Sequence, residues 1–124
     1  MGNFFSILKG LLGLGPSDPT ANLAPTEAFQ RLKSGNPHQL VDVRSGEENK
    51  QNRIAGSRHI PLQELGKRVP ELDPNKPVLL YCQSGARSGM ALRMLKGAGF
   101  SQAAHIRGGL SAWRFSNLPV ESSR

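Results

Sequence analysis

A single cysteine, Cys82, is all the thiol chemistry that this chain of 124 residues carries. One thiol excludes an intramolecular disulfide and a cysteine-rich zinc site. It also removes the paired-cysteine framework typical of small secreted domains, so a reducing, cytoplasmic setting is expected. Three histidines, His38, His59 and His105, stand far apart in sequence without ligand spacing. Each is expected on the surface or in a satisfied structural role, and neither a metal nor a cofactor is expected. Acidic residues are scarce too: 9 Asp and Glu stand against 16 Lys and Arg, a formal net charge of +7. The basic residues are scattered from Lys9 to Arg124 with no dense run. Nucleic-acid binding is therefore not expected, and small anions are the partners that the charge favours. No apolar run reaches the roughly 20 residues needed to cross a bilayer.

What is present suffices for one domain. An apolar fraction of 37% in a chain of this length supports one real core and not two. The amino end is different in character: Phe4, Phe5, Ile7, Leu8, Leu11, Leu12 and Leu14 form an apolar run interrupted by Lys9 and by glycines. Residues 1–14 read in one of two ways. They form a short amphipathic helix that makes weak contact with a membrane or a protein partner, or a partly ordered tail, since a helix this short is marginal alone. The opening "MGNFFS" has the form of an N-myristoylation signal, which has meaning only in a eukaryote. The basic start and small-residue cleavage site of a secretory signal are missing. "GPSDPT", Gly15 to Thr20, reads as a linker, so residues 1–20 are expected to be a flexible or amphipathic segment and residues 21–124 the domain.

Within the domain the pattern alternates. "PTEAFQRLKSG" reads as a helix that begins at Pro25 and Thr26, places Ala28, Phe29 and Leu32 on one side, and stops at Gly35. "HQLVDVR" and "SRHIPL" read as strands, the second ended by Pro61. "LQELGKRVPEL" reads as a short helix broken before Pro70. "KPVLLYC" is the clearest strand. "ARSGMALRMLKGAGF" carries Met90, Ala91, Met94 and Leu95 at helical spacing, and Met90 and Met94 are expected in the core with Trp113. "AAHIRGG" reads as a last strand and "LSAWRF" as a last helical turn. Strands alternating with helices predict an α/β domain, an open parallel sheet with helices on both faces.

The thiol sits at a junction in this pattern. In an open α/β sheet, ligands bind beyond the carboxyl ends of the strands, and Cys82 directly follows its strand. The loop "QSGARS" is small and contains glycine, so its N–H groups can turn inward as a nest for an anion. The helix that begins near Ala86 or Arg87 points its positive end at the same place. A thiol held there ionises more readily than the model value of about 8.5 implies, because the thiolate is the anion being stabilised. That supplies a nucleophile without a neighbouring histidine.

Four segments taken in order give the chain a family likeness. They are "LVDVRSGEE", "RIAGSRHIPL", "VLLYCQSGARSGMAL" and "HIRGGLSAW". With these motifs the chain resembles the rhodanese-like, single-domain sulfurtransferase family over roughly Pro25 to Pro119. The resemblance implies a five-stranded sheet and a persulfide mechanism: Cys82 accepts a sulfane sulfur from thiosulfate or a similar small anionic donor and passes it to cyanide or a thiol. It places the backbone N–H groups of Gln83, Ser84, Gly85, Ala86, Arg87 and Ser88 around the transferred sulfur. Asp42 and Arg44 are implied as supports of the loop, and Gly108 and Gly109 as the means of a tight turn and close packing. Arg87 either pins the loop through an ion pair with an acidic residue elsewhere or pairs with the donor's oxygens. Glu47 and Glu48 read as solvated charges. A monomer is expected.

The chain also departs from the family pattern. Gln83 stands where many active members carry a basic residue, Arg53 where histidine is usual, Ala55 in place of proline, and Asn49 and Lys50 where an aromatic is common. Two other classes compete. A phosphatase of related fold needs five residues between Cys and Arg, whereas four separate Cys82 from Arg87. The other is a non-catalytic sulfur-carrier or partner-binding module, against which the intact Cys82 counts, because inactive members of the family commonly lose that residue.

Overall fold

The computed structural model describes residues 21–123; the segment 1–20, with its proposed amphipathic stretch, lies outside the described residues. The elements run β1 (Asn22–Leu23), α1 (Pro25–Lys33), β2 (Gln39–Asp42), α2 (Gly46–Gln51), β3 (Arg58–His59), α3 (Leu62–Arg68), a 3-10 turn (Val69–Glu71), β4 (Val78–Tyr81), α4 (Ala86–Gly97), β5 (Ala103–Ile106) and α5 (Gly109–Phe115). The strands form one five-stranded sheet in the order β1-β5-β4-β2-β3. Every pairing in it is parallel. Among the described residues no helix is long and apolar enough to cross a membrane.

Alternation along β4 builds the core on both faces of the sheet. Val78 and Leu80 pack with Leu65 of α3 and with Ala91 and Leu95 of α4. Leu79 and Tyr81 pack on the other face with Ala28 of α1 and with Leu110 and Trp113 of α5. Cys82 continues the first set, so its side chain lies under α4. β4 is buried along its whole length, as expected of a central parallel strand covered on both faces. Phe29 of α1 meets Trp113 of α5 edge to face, with centroids 5.7 Å apart.

Two elements are absent from the sequence reading. β1 is two residues long and pairs Asn22 with His105 and Leu23 with Ile106. α2 begins with a capping box, Ser45 accepting from the Glu48 amide and Glu48 accepting from the Ser45 amide. The expected placement of two methionines is corrected: Met90 and Met94 are 49% and 41% exposed on the outer side of α4, whereas Trp113 is buried as expected. The helical spacing was shared between the buried pair Ala91 and Leu95 and the flanking methionines, and only the first pair faces the sheet.

α5 is fastened beneath the end of β4. The Leu110 amide donates to the Cys82 carbonyl at 2.8 Å and the Ser111 amide to the Gln83 carbonyl at 3.0 Å. This approach requires glycine at 109. Its φ is +63°, and a Cβ there would stand 2.5 Å from the Cys82 oxygen and the Gln83 carbonyl carbon. Gly109→Ala is therefore expected to destabilise the protein by about 2 kcal/mol or more, combining backbone strain with overpacking. Gly97→Ala, where a Cβ meets nothing within 4 Å, is expected to stabilise it by up to about 1 kcal/mol. Urea unfolding midpoints measure both, and an equal effect of the two substitutions contradicts this account of the close contact.

Candidate active site

Cys82 leaves the carboxyl end of β4, and the chain must reverse within three residues to enter α4. Gly85 makes the reversal in a left-handed conformation, φ +105° and ψ −15°, which a side chain would strain. The turn aims N–H groups at the sulfur. The Gly85 amide donates to Cys82 Sγ at 3.0 Å and the Ser88 amide at 3.3 Å. Ser88 Oγ stands 3.5 Å from the same atom. Burial pushes the Cys82 thiol up, but the Ser88 hydroxyl and the amides of Ser88, Gly85 and Ser84 outweigh it and hold the thiol below its ordinary value. The first turn of α4 adds its own positive end. Cys82 has no exposed surface, and the loop that follows it is only partly open to solvent. Ser84 and Ala86 are the exposed members of that loop.

Arg87 faces away from this pocket toward α2. Its Nη1 and Nη2 donate to Glu48 Oε1 and Oε2 at 2.8 and 2.9 Å, a two-pronged ion pair. Of the two roles open to Arg87 in the sequence, the structure displays the ion pair that pins the loop. Glu48 is thereby corrected from a solvated charge to the arginine's partner. The Arg87 hydrogen bond, against the opposing effect of burial and helped by Ser45, holds the Glu48 carboxyl down at about 2. Neither residue touches the sulfur through a hydrogen bond.

A second ion pair, fully buried, stands behind the loop. Arg44 Nη2 donates to Asp42 Oδ2 at 2.8 Å, and the two side chains are 1% and 0% exposed. A charge pair out of water must have its remaining donors and acceptors satisfied. Here they are. Asp42 Oδ1 accepts from the Arg44 amide at 2.8 Å, and Asp42 Oδ2 from Asn49 Nδ2 at 3.0 Å. Arg44 also donates to the Asn52 carbonyl and, at 3.2 Å, to Gln83 Oε1. His59 Nε2 donates to the Arg44 carbonyl at 2.7 Å. Gln83 Nε2 donates to Ser111 Oγ at 2.9 Å. Both ends of the Gln83 amide are thus committed to the scaffold.

The structure therefore brings Cys82, Ser84, Gly85 and Ser88 together around one sulfur atom. It holds Gln83 by its side chain against Arg44, turns Arg87 to Glu48, and keeps Asp42 one layer further back. Arg53, standing where the sequence departs from its family pattern, pairs with Glu121 at 3.1 Å and fastens the end of the chain. Sequence reasoning assigns no role at the site to Asn52, to Asn49, which reads only as a departure from the family pattern, or to His105, which reads as a surface or structural histidine and lies 2.8 Å from Ser88 Oγ through Nδ1. Asn49 and Asn52 follow Ser45-x-x-Glu48, whose capping-box spacing is the local signal that could have placed a helix there.

A strand-loop-helix with its thiol cradled in amides, on a parallel five-stranded sheet, agrees with the family match: residues 24–116 match the rhodanese-like domain. The chain belongs to the rhodanese-like family. Within it, the chain is 40% identical over 88 residues to the putative sulfur carrier protein YrkF of Bacillus subtilis, covering 70% of this chain and 48% of that one. It is 34% identical over 91 residues to a sulfurtransferase of Allochromatium vinosum, covering 73% of this chain and 85% of that one. The crystal structure of a rhodanese-related protein from Thermoplasma volcanium superposes with a TM-score of 0.74 at 26% identity, covering 81% of this chain and 96% of the other. The chain spans 60%, 48% and 24% of the lengths of three curated relatives that it matches.

The Glu48 contact carries a pH signature. The folded carboxyl, near 2, lies below its ordinary value of 4.5, so its stabilisation is present above about pH 4.5 and is lost as pH falls toward 2. Glu48→Gln keeps the capping box and removes the charge. It is expected to cost up to about 1 kcal/mol at neutral pH, as befits a partly exposed pair, and to flatten the decline between pH 4.5 and 2. Urea midpoints across that range decide: a variant with the acid dependence of the wild type contradicts the role given to this carboxylate.

Proposed function

We propose that the protein is a sulfurtransferase that works through a persulfide on Cys82. The observation that carries this reading is the convergence of the Gly85 and Ser88 amides, with the Ser88 hydroxyl, on Cys82 Sγ. Such a cradle favours the thiolate, and a thiolate is the nucleophile that sulfane sulfur chemistry requires. In the first step the thiolate attacks the outer sulfur of thiosulfate or a similar anion. The bond between that sulfur and the donor breaks, its electron pair leaves with sulfite, and Cys82 carries a persulfide. In the second step cyanide or a thiol attacks the outer sulfur, which leaves as thiocyanate or a new persulfide and returns the Cys82 thiolate. Charge and electrons balance without an external oxidant. The loop amides hold the negative outer sulfur between the steps.

The short interval between Cys82 and Arg87 supports sulfur as the cargo in place of phosphate. A second reading, a sulfur carrier that receives its sulfur from a protein partner, is favoured by one observation: Gln83, tied to Arg44 and Ser111, supplies no positive charge for an anionic donor. The name of the Bacillus subtilis relative fits that reading, and that of the Allochromatium vinosum relative fits the first.

Incubation with thiosulfate, inorganic polysulfide and glutathione persulfide, followed by intact-protein mass spectrometry, tests the proposal. Wild-type protein is expected to gain the mass of one sulfur at Cys82 and to lose it to cyanide as thiocyanate. Cys82→Ser is expected to gain nothing. Sulfur uptake without release to cyanide selects the carrier reading, and full transfer by Cys82→Ser, or no uptake from any donor, overturns the proposal.

A further inference from the structure

The Ser88 hydroxyl has one hydrogen and three neighbours able to receive it. Gly85 O lies 3.3 Å away, Cys82 Sγ 3.5 Å and His105 Nδ1 2.8 Å. The nearest neighbour therefore decides the direction. A bare Nδ1 takes the hydrogen and leaves the sulfur facing an oxygen lone pair. An Nδ1 that carries its own hydrogen donates to Ser88 Oγ instead and releases the hydroxyl hydrogen. Between the remaining acceptors a thiolate wins over a neutral carbonyl, because hydrogen bonds to ionised acceptors are the stronger.

We propose that His105 is a positioning residue for Cys82: its Nδ1–H donates to Ser88 Oγ and thereby turns the Ser88 hydroxyl onto the sulfur. The chain of three runs from β5 through α4 to the end of β4. It is set by register, since His105 lies beside Leu80 of β4 and Asn22 of β1, with Ser88 above it on α4. The charged neighbour of the ring is Arg93, also on α4. Burial and, after it, Arg93 hold the imidazole below its ordinary value, so at neutral pH the ring is uncharged and the choice lies between its two tautomers. Coupling runs both ways. A thiolate at Cys82 favours the Nδ1–H tautomer, and the Nδ1–H tautomer favours the thiolate. Loss of the negative charge at Sγ removes the preference.

The inference rests on the ionised Cys82 of the reading above but on no sulfur donor, and the test keeps the two apart. Nitrogen-15 NMR of the full chain reads the His105 tautomer while pH is taken through the Cys82 titration, which iodoacetamide alkylation rates follow in parallel. His105 is expected in the Nδ1–H form where Cys82 is a thiolate, with a step in its nitrogen shifts at the Cys82 midpoint. Ser88→Ala is expected to abolish the step. His105→Leu is expected to slow alkylation below the midpoint roughly threefold, the worth of one oriented hydrogen bond, and His105→Asn, which restores an N–H, to recover part of it. An Nε2–H ring beside an ionised Cys82, or a step that survives in Ser88→Ala, overturns the proposal. An ordinary cysteine midpoint in the wild type instead overturns the thiolate on which both readings stand.

Discussion

Two hydrogen bonds from α5 to the end of β4 set the geometry on which the site depends. The Leu110 and Ser111 amides take the carbonyls of Cys82 and Gln83, which ties the first two peptides of the loop to the floor beneath them. With those carbonyls engaged by α5, the peptides that follow turn their N–H groups to the other side, where the sulfur lies. Gly109 makes the contact, because any side chain at that position collides with the backbone it supports. Gly85 completes the turn with a left-handed backbone. The anion cradle is thus a consequence of how closely one helix packs under one strand.

Charge arranged around this turn stiffens it from two directions. The buried Asp42–Arg44 pair joins β2, α2 and the loop through Asn49, Asn52 and Gln83. Such a pair adds little net stability by itself, since desolvation offsets much of its attraction, but breaking it strands a buried charge. Its worth here is positional: it gives the Gln83 side chain a fixed partner. The Arg87–Glu48 pair does the same from the α4 side. An arginine spent on holding the loop is unavailable to the reactant. The hydrogen bonds that stabilise charge at the sulfur therefore come from the amides and the Ser88 hydroxyl, and Arg87 adds only a through-space attraction to Cys82.

The sequence revealed the sheet where its strands are buried. Val78 to Tyr81 and Gln39 to Asp42 are long and apolar enough to stand out, and the loop after Cys82 declared its chemistry through size and glycine content. β1 could not be read from its residues, because two residues in an edge strand leave no alternation to detect; it entered only through the family resemblance. α2 goes unread: Ser45 and Glu48 stand at capping-box spacing, but a helix of six residues without buried side chains shows no apolar stripe to go with it. Met90 and Met94 share a helical period with the core residues, and periodicity alone does not say which neighbouring stripe faces inward. The partner of Arg87 and the contact between Ser88 and His105 were illegible for a different reason: both join residues far apart in sequence whose meeting depends on strand order.

The account stands on a thiol that ionises because backbone and hydroxyl groups surround it. The thiolate absorbance of Cys82, titrated in the folded chain and in the same chain unfolded by urea, measures this directly, with Cys82→Ser as the blank. Burial pushes the Tyr81 phenol up to about 12, which keeps it clear of the folded titration. The expected result is a folded midpoint below the unfolded one. A folded midpoint equal to or above it would contradict the account, since burial would then have prevailed over the amides.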